Sequence, residues 1–225
     1  MTTLYVVATP IGNLEDITLR AIRVLNEVDV ILCEDTRVTA KLLSKYEIKK
    51  SLIRYDAHST DTTLKKIFTL IEEGKSLVLV SDAGTPSISD PGSHLVQKLR
   101  ENFSREDLSI VAIPGASALT SALSISGVPS SEFLFLGFLP HKKGRETIFK
   151  EIVETKRPVV FYESPHRILK ALQSLNKFCP EKKIAIGREL TKIHEEMLFG
   201  TASELLVFFE ENNEKIRGEF VVIVS

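Results

Sequence analysis

Short apolar runs rich in valine and isoleucine alternate with amphipathic segments along the first half of the sequence. This alternation limits the possible folds more than any other feature does. The apolar runs lie at 4–8, 28–33, 76–81 and 109–113. Segments with helical spacing lie between them, at 17–26, 37–46, 62–73 and 92–102. Because polar residues do not interrupt the runs, they are typical of strands buried on both faces. We therefore predict an α/β domain around a mostly parallel sheet.

The second half has a different rhythm, with predicted strands at 133–138, 158–162, 183–186, 197–200 and 219–224. Helices are predicted over 116–126 and over 165–178, since proline is tolerated in the first turn of a helix. Only 201–209 separates the last two strands, a spacing that resembles a hairpin, so we expect a mixed sheet. The turn dipeptide Pro114–Gly115 predicts a boundary between two domains, 1–114 and 115–225.

Composition excludes several classes of protein. The 225 residues include 29 basic and 30 acidic side chains, so neither a highly charged disordered chain nor an overall basic field is present. Cys33 and Cys179 are too few for a disulfide scaffold, and the histidines lack metal-ligand spacing, so we expect no metal. Without a basic leader or a run of about 18 apolar residues, we expect a cytoplasmic protein with no signal peptide and no membrane span.

Positive charge is concentrated in one block. Residues 141–194 contain thirteen basic and six acidic side chains, and the cluster HKKGR at 141–145 begins the block. Such a block attracts a phosphate backbone. The alternative is a solvated loop and helix face.

The segment SDAGTPSISDPG at 81–92 is the most informative motif. It lies between a predicted strand and a predicted helix, and α/β sheets bind ligands at the carboxyl ends of their strands. The Walker lysine and the dinucleotide glycine spacing are both missing. Two carboxylates, Asp82 and Asp90, disfavour a phosphate and favour a cation or a ligand with amine or hydroxyl groups. The alternative is a structural connector in which Asp90 caps the next helix.

Polar clusters also follow the other predicted strands. They are ATPIGNLED at 8–16, EDTR at 34–37, PGASA at 114–118, YESPHR at 162–167 and RELT at 188–191. Glu34 and Asp35 can supply a general base, or they can cap the helix that follows. Asp16 likewise can cap its helix. Several strand ends with polar clusters indicate a shared functional edge.

These clusters, in this order, resemble the ribosomal RNA small subunit methyltransferase I family of the tetrapyrrole methylase superfamily. The matching strings cover nearly the whole chain. They are LYVVATPIGNLEDITLRA at 4–21, EDTRVTAKLL at 34–43, LVSDAGTPSISDPG at 79–92, IPGASALTSALSISG at 113–127, FLFLGFLPHKKGR at 133–145, VFYESPHRI at 160–168, RELTKIHEE at 188–196 and RGEFVVIV at 217–224.

The resemblance implies a two-domain α/β, tetrapyrrole-methylase-like fold with flanking helices. The N-terminal sheet would be mostly parallel, the C-terminal sheet mixed, and the cofactor cleft would lie between the domains. The implied activity is methyl transfer from S-adenosylmethionine to the ribose 2′-hydroxyl of a cytidine in the decoding region of 16S rRNA. The implied partners are that RNA in the small ribosomal subunit and a second copy of the chain. Many members continue with a C-terminal helical domain, whereas this sequence ends at Ser225.

The resemblance also implies cofactor contacts, although Thr85 replaces the aspartate of the Gly-Asp-Pro loop of the superfamily. The predicted contacts are Pro10, Asp82, Gly84, Thr85, Ser87, Ile88, Ser117, Ala118, Tyr162, Leu190, Gly218 and Glu219. A sulfonium cation suits a loop with two carboxylates and no basic residue. Our candidates for a catalytic base, at strand ends on one rim, are Glu34, Asp35 and Asp16. The predicted RNA contacts are Arg37, Lys41, Lys142, Lys143, Arg145 and Arg167.

Two alternatives remain open. Another enzyme of the same fold would methylate a corrin or porphyrin precursor and would have no use for the HKKGR cluster. A non-catalytic ribosome-assembly factor would bind RNA without turnover. A dehydrogenase or a kinase is disfavoured because the phosphate-binding fingerprints are missing.

Overall fold

The computed structural model describes residues 1–141 and 144–225, which form two compact units, Met1–Ser117 and Ala118–Ser225. The boundary predicted at Pro114–Gly115 lies shortly before this division. Among the described residues, no helix is both long and apolar enough to cross a membrane.

Strands and helices alternate strictly in the first unit, all of whose residues are described. In chain order they are β1 Thr2–Val7, α1 Leu19–Glu27, β2 Val30–Cys33, α2 Thr36–Lys45, β3 Ser51–Arg54, α3 Asp61–Glu72, β4 Leu77–Leu79, α4 Gly92–Asn102 and β5 Leu108–Ile113. The five strands pair in the order β3-β2-β4-β1-β5, and every pairing is parallel. The prediction of a parallel α/β sheet is confirmed.

The two faces of this sheet are covered by different helices. Successive residues of a strand point to opposite faces, so Leu77 and Leu79 pack with α3 and α4 whereas Val78 and Val80 pack with α1 and α2. The chain therefore leaves β1 toward one face and leaves the adjacent β4 toward the other. In α/β sheets, the crevice between strands whose connections diverge in this way is where ligands bind.

Two local expectations for the first unit are corrected. Asp16 does not cap α1, because it ends a single 3-10 turn, Leu14–Asp16, and the side chain of Thr18 accepts the hydrogen bond from Ala21 N instead. Strand β3 was not predicted. It is an edge strand with only two apolar residues, so its sequence has no run long enough to indicate a strand.

The second unit contains a mixed sheet. Its elements are α5 Ala118–Ser126, β6 Leu134–Phe138, α6 Arg145–Glu154, β7 Val159–Glu163, α7 Ile168–Phe178, β8 Ile184–Arg188, β9 Glu196–Gly200, α8 Ala202–Glu211 and β10 Phe220–Val224. The strand order is β6-β7-β10-β8-β9, with β6 and β7 parallel and the other pairs antiparallel.

The predicted mixed sheet is confirmed, but the hairpin that suggested it is wrong. Strand β10 pairs with β7 and β8 and does not touch β9 in the sheet, and α8 lies between β9 and β10 in the chain. The apolar residues of α8 belong to the core, where Phe209 and Phe220 are fully buried and meet edge to face. Helices α6 and α7 contribute to the same core. Burying the apolar stripe of α8 on the sheet is favoured over a short loop.

Candidate functional site

Two loops of the first unit are joined where the connections of β1 and β4 diverge. Backbone hydrogen bonds run both ways between Thr9 and Gly84, each with an N···O distance of 2.9 Å. The buried hydroxyl of Thr9 also donates to the carbonyl of Ser81 at 3.1 Å. These bonds tie the loop after β1 to the segment 81–92. The two motifs that sequence analysis singled out therefore form one structure at the carboxyl edge of the sheet.

The segment 81–92 holds an unusual backbone conformation. Ser87 and Ser89 both have positive φ angles, 73° and 66°, which non-glycine residues rarely adopt. A carboxylate oxygen of Asp90 stabilises this shape by accepting hydrogen bonds from the backbone N–H groups of Ser87 at 2.7 Å and Gly92 at 2.9 Å. Asp90 thus serves the start of α4, as its capping alternative proposed, and it also holds the loop open. Strain that persists in a loop marks a place where the surroundings impose it.

Two buried oxygen atoms at this edge lack a hydrogen-bond partner. Among the described residues, they are Oε1 of Glu34 and Oγ of Ser87. Native proteins rarely leave buried polar atoms unpaired, and such atoms often belong to sites that receive a ligand. Glu34 directly follows β2, and Ser87 is bonded to Asp90. Both unpaired atoms therefore lie in the acidic rim that follows β2 and β4.

The carboxyl group of Glu34 is the titratable group most perturbed toward neutral pH at this rim. Burial raises its pKa from 4.5 to about 7, and the nearby carboxylates of Asp90, Asp82 and Asp56 act in the same direction. A group with a pKa near the working pH can both accept and release a proton. Of the three predicted catalytic acids, Glu34 has the position and environment of a base.

The other two predicted acids are placed differently. Asp35 caps α2 by accepting a hydrogen bond from Arg37 N at 2.8 Å, and its carboxylate pairs with the Arg37 guanidinium at 2.6 Å. The Arg37 side chain and backbone hold the pKa of Asp35 well below its usual range. Asp16 is exposed on the loop after β1. A capping role, left open for the EDTR cluster, is therefore seen for Asp35 but not for Glu34.

The predicted cofactor contacts of the first unit share the same edge. Gly84 has a φ of 81°, and a methyl group there would lie 3.4 Å from Cγ2 of Ile11. The hydroxyl of Thr85 donates to the carbonyl of Ala116 at 3.2 Å, which joins the segment 81–92 to the turn after β5. The remaining positions are Pro10, which is buried, Asp82, whose Oδ1 accepts from Asp35 N, Ile88, which is exposed, and Ser117, which is half-buried.

The predicted contacts of the second unit lie along one edge of its sheet. The carboxyl ends of β7 and β8 meet the amino end of β10 there, in register at Phe220. Glu189 and Thr191 have positive φ angles, and the carboxylate of Glu189 occupies the space that a methyl group on Gly218 would fill. Leu190 is buried and Glu219 is exposed beside them.

Tyr162 and the start of α5 complete this part of the second unit. The hydroxyl of Tyr162, a residue of β7, accepts a hydrogen bond from Leu119 N at 3.2 Å. Leu119 follows Ala118, the first residue of α5, so the predicted contacts Tyr162 and Ala118 lie close together. Leu190, Gly218 and Glu219 share an edge with Tyr162, but a cofactor role for any of them stays a prediction.

Two predicted RNA contacts are engaged inside the second unit. Glu163 is fully buried, and its carboxylate oxygens pair with Arg145 at 3.2 Å and with Arg167 at 2.5 Å. The same guanidiniums donate to the carbonyls of Pro140 at 3.2 Å and Leu139 at 2.8 Å. Their side chains are only 14% and 15% exposed. The charge block alone did not indicate this arrangement, because the carboxylate that binds both cations is 18 residues from Arg145.

The other predicted RNA contacts are placed as follows. Arg37 and Lys41 are exposed on one face of α2, although Arg37 is paired with Asp35. Lys142 and Lys143 lie outside the described residues. Among residues 1–141 and 144–225, no cluster of three His, Cys, Asp or Glu side chains suits a metal ion.

Comparisons with known proteins give a consistent result. Residues 3–206 match the family described as Tetrapyrrole (Corrin/Porphyrin) Methylases. The chain is 46% identical over 222 residues to ribosomal RNA small subunit methyltransferase I of Thermotoga maritima, covering 99% of this chain and 97% of that protein. It is also 46% identical over 224 residues to the protein of the same name from Halalkalibacterium halodurans, covering 99% of this chain and 75% of that protein.

A solved structure shares the fold at low identity. It is uroporphyrin-III C-methyl transferase from Thermus thermophilus complexed with S-adenyl homocysteine, with a TM-score of 0.64 and 17% identity. The match covers 98% of this chain and 96% of that one.

Proposed function

The chain belongs to the tetrapyrrole methylase family and, within it, to the ribosomal RNA small subunit methyltransferases I, and from this membership we propose that it methylates a ribose 2′-hydroxyl of a cytidine in the decoding region of 16S rRNA. It is a methyltransferase, and S-adenosylmethionine is its cofactor. The observation that carries the proposal is 46% identity over 99% of the chain to a protein of that name. The proposal extends to a small ribosomal subunit as substrate, a homodimeric enzyme and the cytoplasm as its location.

The residues of the first unit fit a positively charged donor. When bound, S-adenosylmethionine supplies a methyl group on a positively charged sulfur, and that methyl group is transferred to the ribose oxygen. The rim after β2 and β4 offers carboxylates from Glu34, Asp82 and Asp90, while a phosphate would be repelled there. The unpaired oxygens of Glu34 and Ser87 are free to accept from or donate to a ligand. We therefore infer that this rim holds the cationic part of the cofactor.

Glu34 is the residue to which we assign the proton transfer. A ribose hydroxyl is a weak nucleophile until its proton leaves, and a positioned base contributes roughly 10²–10⁴-fold to such a reaction. With a pKa raised to about 7, the carboxylate of Glu34 is basic enough to accept that proton. The pKa falls when a positive charge lies beside the carboxyl group. The base is therefore ready when the cofactor site is filled.

The remaining residues of the rim keep the site in shape. The two hydrogen bonds between Thr9 and Gly84 hold the facing loops together, and Asp90 fixes the segment that presents Ser87. Positioning of this kind supplies a large share of the rate in a displacement between two bound reactants.

The test is methyl transfer from S-adenosylmethionine labelled in its methyl group to small ribosomal subunits that lack the modification. We expect the label on one cytidine ribose, at a position that resists alkaline cleavage because its 2′-oxygen is blocked. Subunits that already carry the modification are the matched control and should take up no label. Label on a base, or label transferred only to a porphyrin precursor offered in parallel, would contradict the proposal.

A further inference from the structure

A groove in the second unit lies outside the site described above. It is a cavity of about 680 Å³ between α6 and α7, which we call the α6–α7 groove. Its lining side chains that bear on the argument are Arg145, Phe149, Arg167, Lys170, Lys177 and Phe178. Arg145 and Phe149 belong to α6, Lys170, Lys177 and Phe178 belong to α7, and Arg167 immediately precedes α7.

The cations of the groove follow one face of α7. Arg167, Lys170 and Lys177 are spaced so that they recur on the same side of a helix. Lys170 and Lys177 are both exposed and lie two helical turns apart, about 10 Å along the axis. Ser174 lies between them and also lines the groove. The face is therefore an extended polar and basic track, longer than a single phosphate group requires.

Two of the cations are held in place by the buried carboxylate of Glu163. Because Arg145 and Arg167 share this one carboxylate, the pair retains a net positive charge at the groove wall. Hydrogen bonds to the carbonyls of Pro140 and Leu139 further restrict both side chains. Fixed cations lose little side-chain entropy when they meet an anion, which favours binding. In the buried ion pair, Glu163 is thus a positioning residue.

The floor of the groove is apolar and aromatic. The rings of Phe149 and Phe178 are stacked in parallel, with centroids 6.2 Å apart. The Arg145 guanidinium lies over one ring at 5.4 Å and the Lys177 ammonium over the other at 5.0 Å. An apolar floor lowers the local dielectric constant and strengthens the attraction between these cations and an anion. Only one acidic side chain lines the groove among the described residues, Glu146, which is 76% exposed and 4.0 Å from Lys177.

We propose that the α6–α7 groove binds the phosphodiester backbone of the ribosomal RNA substrate, with Lys170 and Lys177 contacting successive parts of the strand and Arg145 and Arg167 fixed at one end. The proposal rests on the proposed function for the identity of the polyanion. The amino end of α6 supports it, since Gly144 provides no side-chain cap for the first N–H groups of that helix. The groove thereby assigns RNA contacts to two lysines that the charge block had not singled out.

The experiment compares three double variants of the full-length chain. Lys170→Ala with Lys177→Ala removes the two exposed charges, and Lys170→Arg with Lys177→Arg keeps them. Lys65→Ala with Lys66→Ala, on the exposed face of α3, is the control for an equal change of net charge. Binding of a short fluorescein-labelled RNA hairpin is measured by anisotropy from about 50 to about 200 mM NaCl. Kinetic constants are measured with labelled S-adenosylmethionine and unmodified small subunits.

We expect the alanine pair in the groove to weaken RNA binding roughly five- to tenfold and to reduce the salt slope by about 1–2. The KM for the RNA substrate should rise while the KM for S-adenosylmethionine stays the same. The arginine pair and the α3 control should behave like the wild-type chain. A groove variant that matches the α3 control in affinity and salt slope would overturn the proposal. Failure of the wild-type chain to bind the hairpin would also overturn it.

The two proposals fail in different ways. A wild-type chain that binds RNA through the groove but transfers no methyl group contradicts the proposed reaction and leaves the groove supported as an RNA site. A chain that methylates subunits equally well with and without the two lysines contradicts the groove and leaves the reaction supported.

Discussion

Replacing Glu34 by glutamine tests the proposed base and its environment together. The amide keeps the size of the carboxyl group but can neither accept a proton nor carry a charge. We expect kcat to fall by roughly 10²–10⁴-fold, the usual contribution of a general base. In the wild-type enzyme, kcat/KM should rise with pH through about 7, because the carboxylate form is the active one. The variant should lack this rise.

The same substitution has a stability effect of predictable sign. The pKa of Glu34 is 4.5 in an unfolded chain and about 7 in the fold, so the folded state disfavours the charged form. The stability that the neutral carboxyl contributes is fully present below pH 4.5 and is lost as the pH rises through about 7. A shift of about 2.5 pKa units corresponds to about 3.4 kcal/mol, which partial exposure reduces to roughly 1–2 kcal/mol.

Urea unfolding of the variant and the wild-type chain at about pH 4.5 and about pH 8 measures this effect. We expect the free energy of unfolding of the variant, relative to wild type, to increase by roughly 1–2 kcal/mol between the two pH values. Glu72→Gln, at an exposed position of α3, is the control and should show neither the kinetic loss nor the pH-dependent gain.

Two results would refute this reasoning. If Glu34→Gln retains kcat within about tenfold of the wild-type value, Glu34 is not the base. If the stability difference is the same at both pH values, the carboxyl group is not perturbed in the way the unpaired Oε1 implies.

Three further predictions concern backbone geometry and the buried ion pairs. Gly84→Ala should lower the free energy of unfolding by about 1 kcal/mol, because alanine disfavours a φ of 81°, and should weaken cofactor binding measured by calorimetry. Gly218→Ala should cost more, about 2–3 kcal/mol in urea unfolding, since its methyl group would overlap the Glu189 carboxylate; adding Glu189→Ala should recover part of that loss, and a purely additive double variant would contradict the contact. Glu163→Gln should destabilise the chain by about 3–5 kcal/mol in urea, because two largely buried guanidiniums lose their counter-charge; a loss below about 1 kcal/mol would show that the pair is not needed.

Local sequence signals predicted most of the secondary structure. Runs of buried valine and isoleucine identified the strands that are covered on both faces, and the helix at Gly92–Asn102 has the predicted limits. The edge strand Ser51–Arg54 and the helix Arg145–Glu154 were missed, the first because it is short and half-exposed. The insertion of β10 between β7 and β8 depends on contacts far apart in the chain, which spacing does not reveal.

The candidate site was predictable in place but not in detail. Because the carboxyl ends of parallel strands share one edge, the loops after β1, β2 and β4 were expected to meet. The roles of Glu34 and Asp35 were not predictable, since adjacent residues of the same chemistry differ here only in the direction of their side chains. Asp35 turns back to the start of α2, whereas Glu34 Oε1 is left without a partner. The capture of Arg145 by Glu163 also required the fold.

The central position of β10 has a consequence for synthesis of the chain. Strand β10 is the last element of the chain and pairs on both sides, so the sheet of the second unit stays open until residue 224 has left the ribosome. The first unit, by contrast, has all its strands once residue 113 is available. Domains generally fold as units from the amino terminus during translation. The nascent chain therefore carries a completed first sheet while the apolar faces of β7 and β8 still wait for their shared partner, and that interval is when the second unit is most exposed to aggregation.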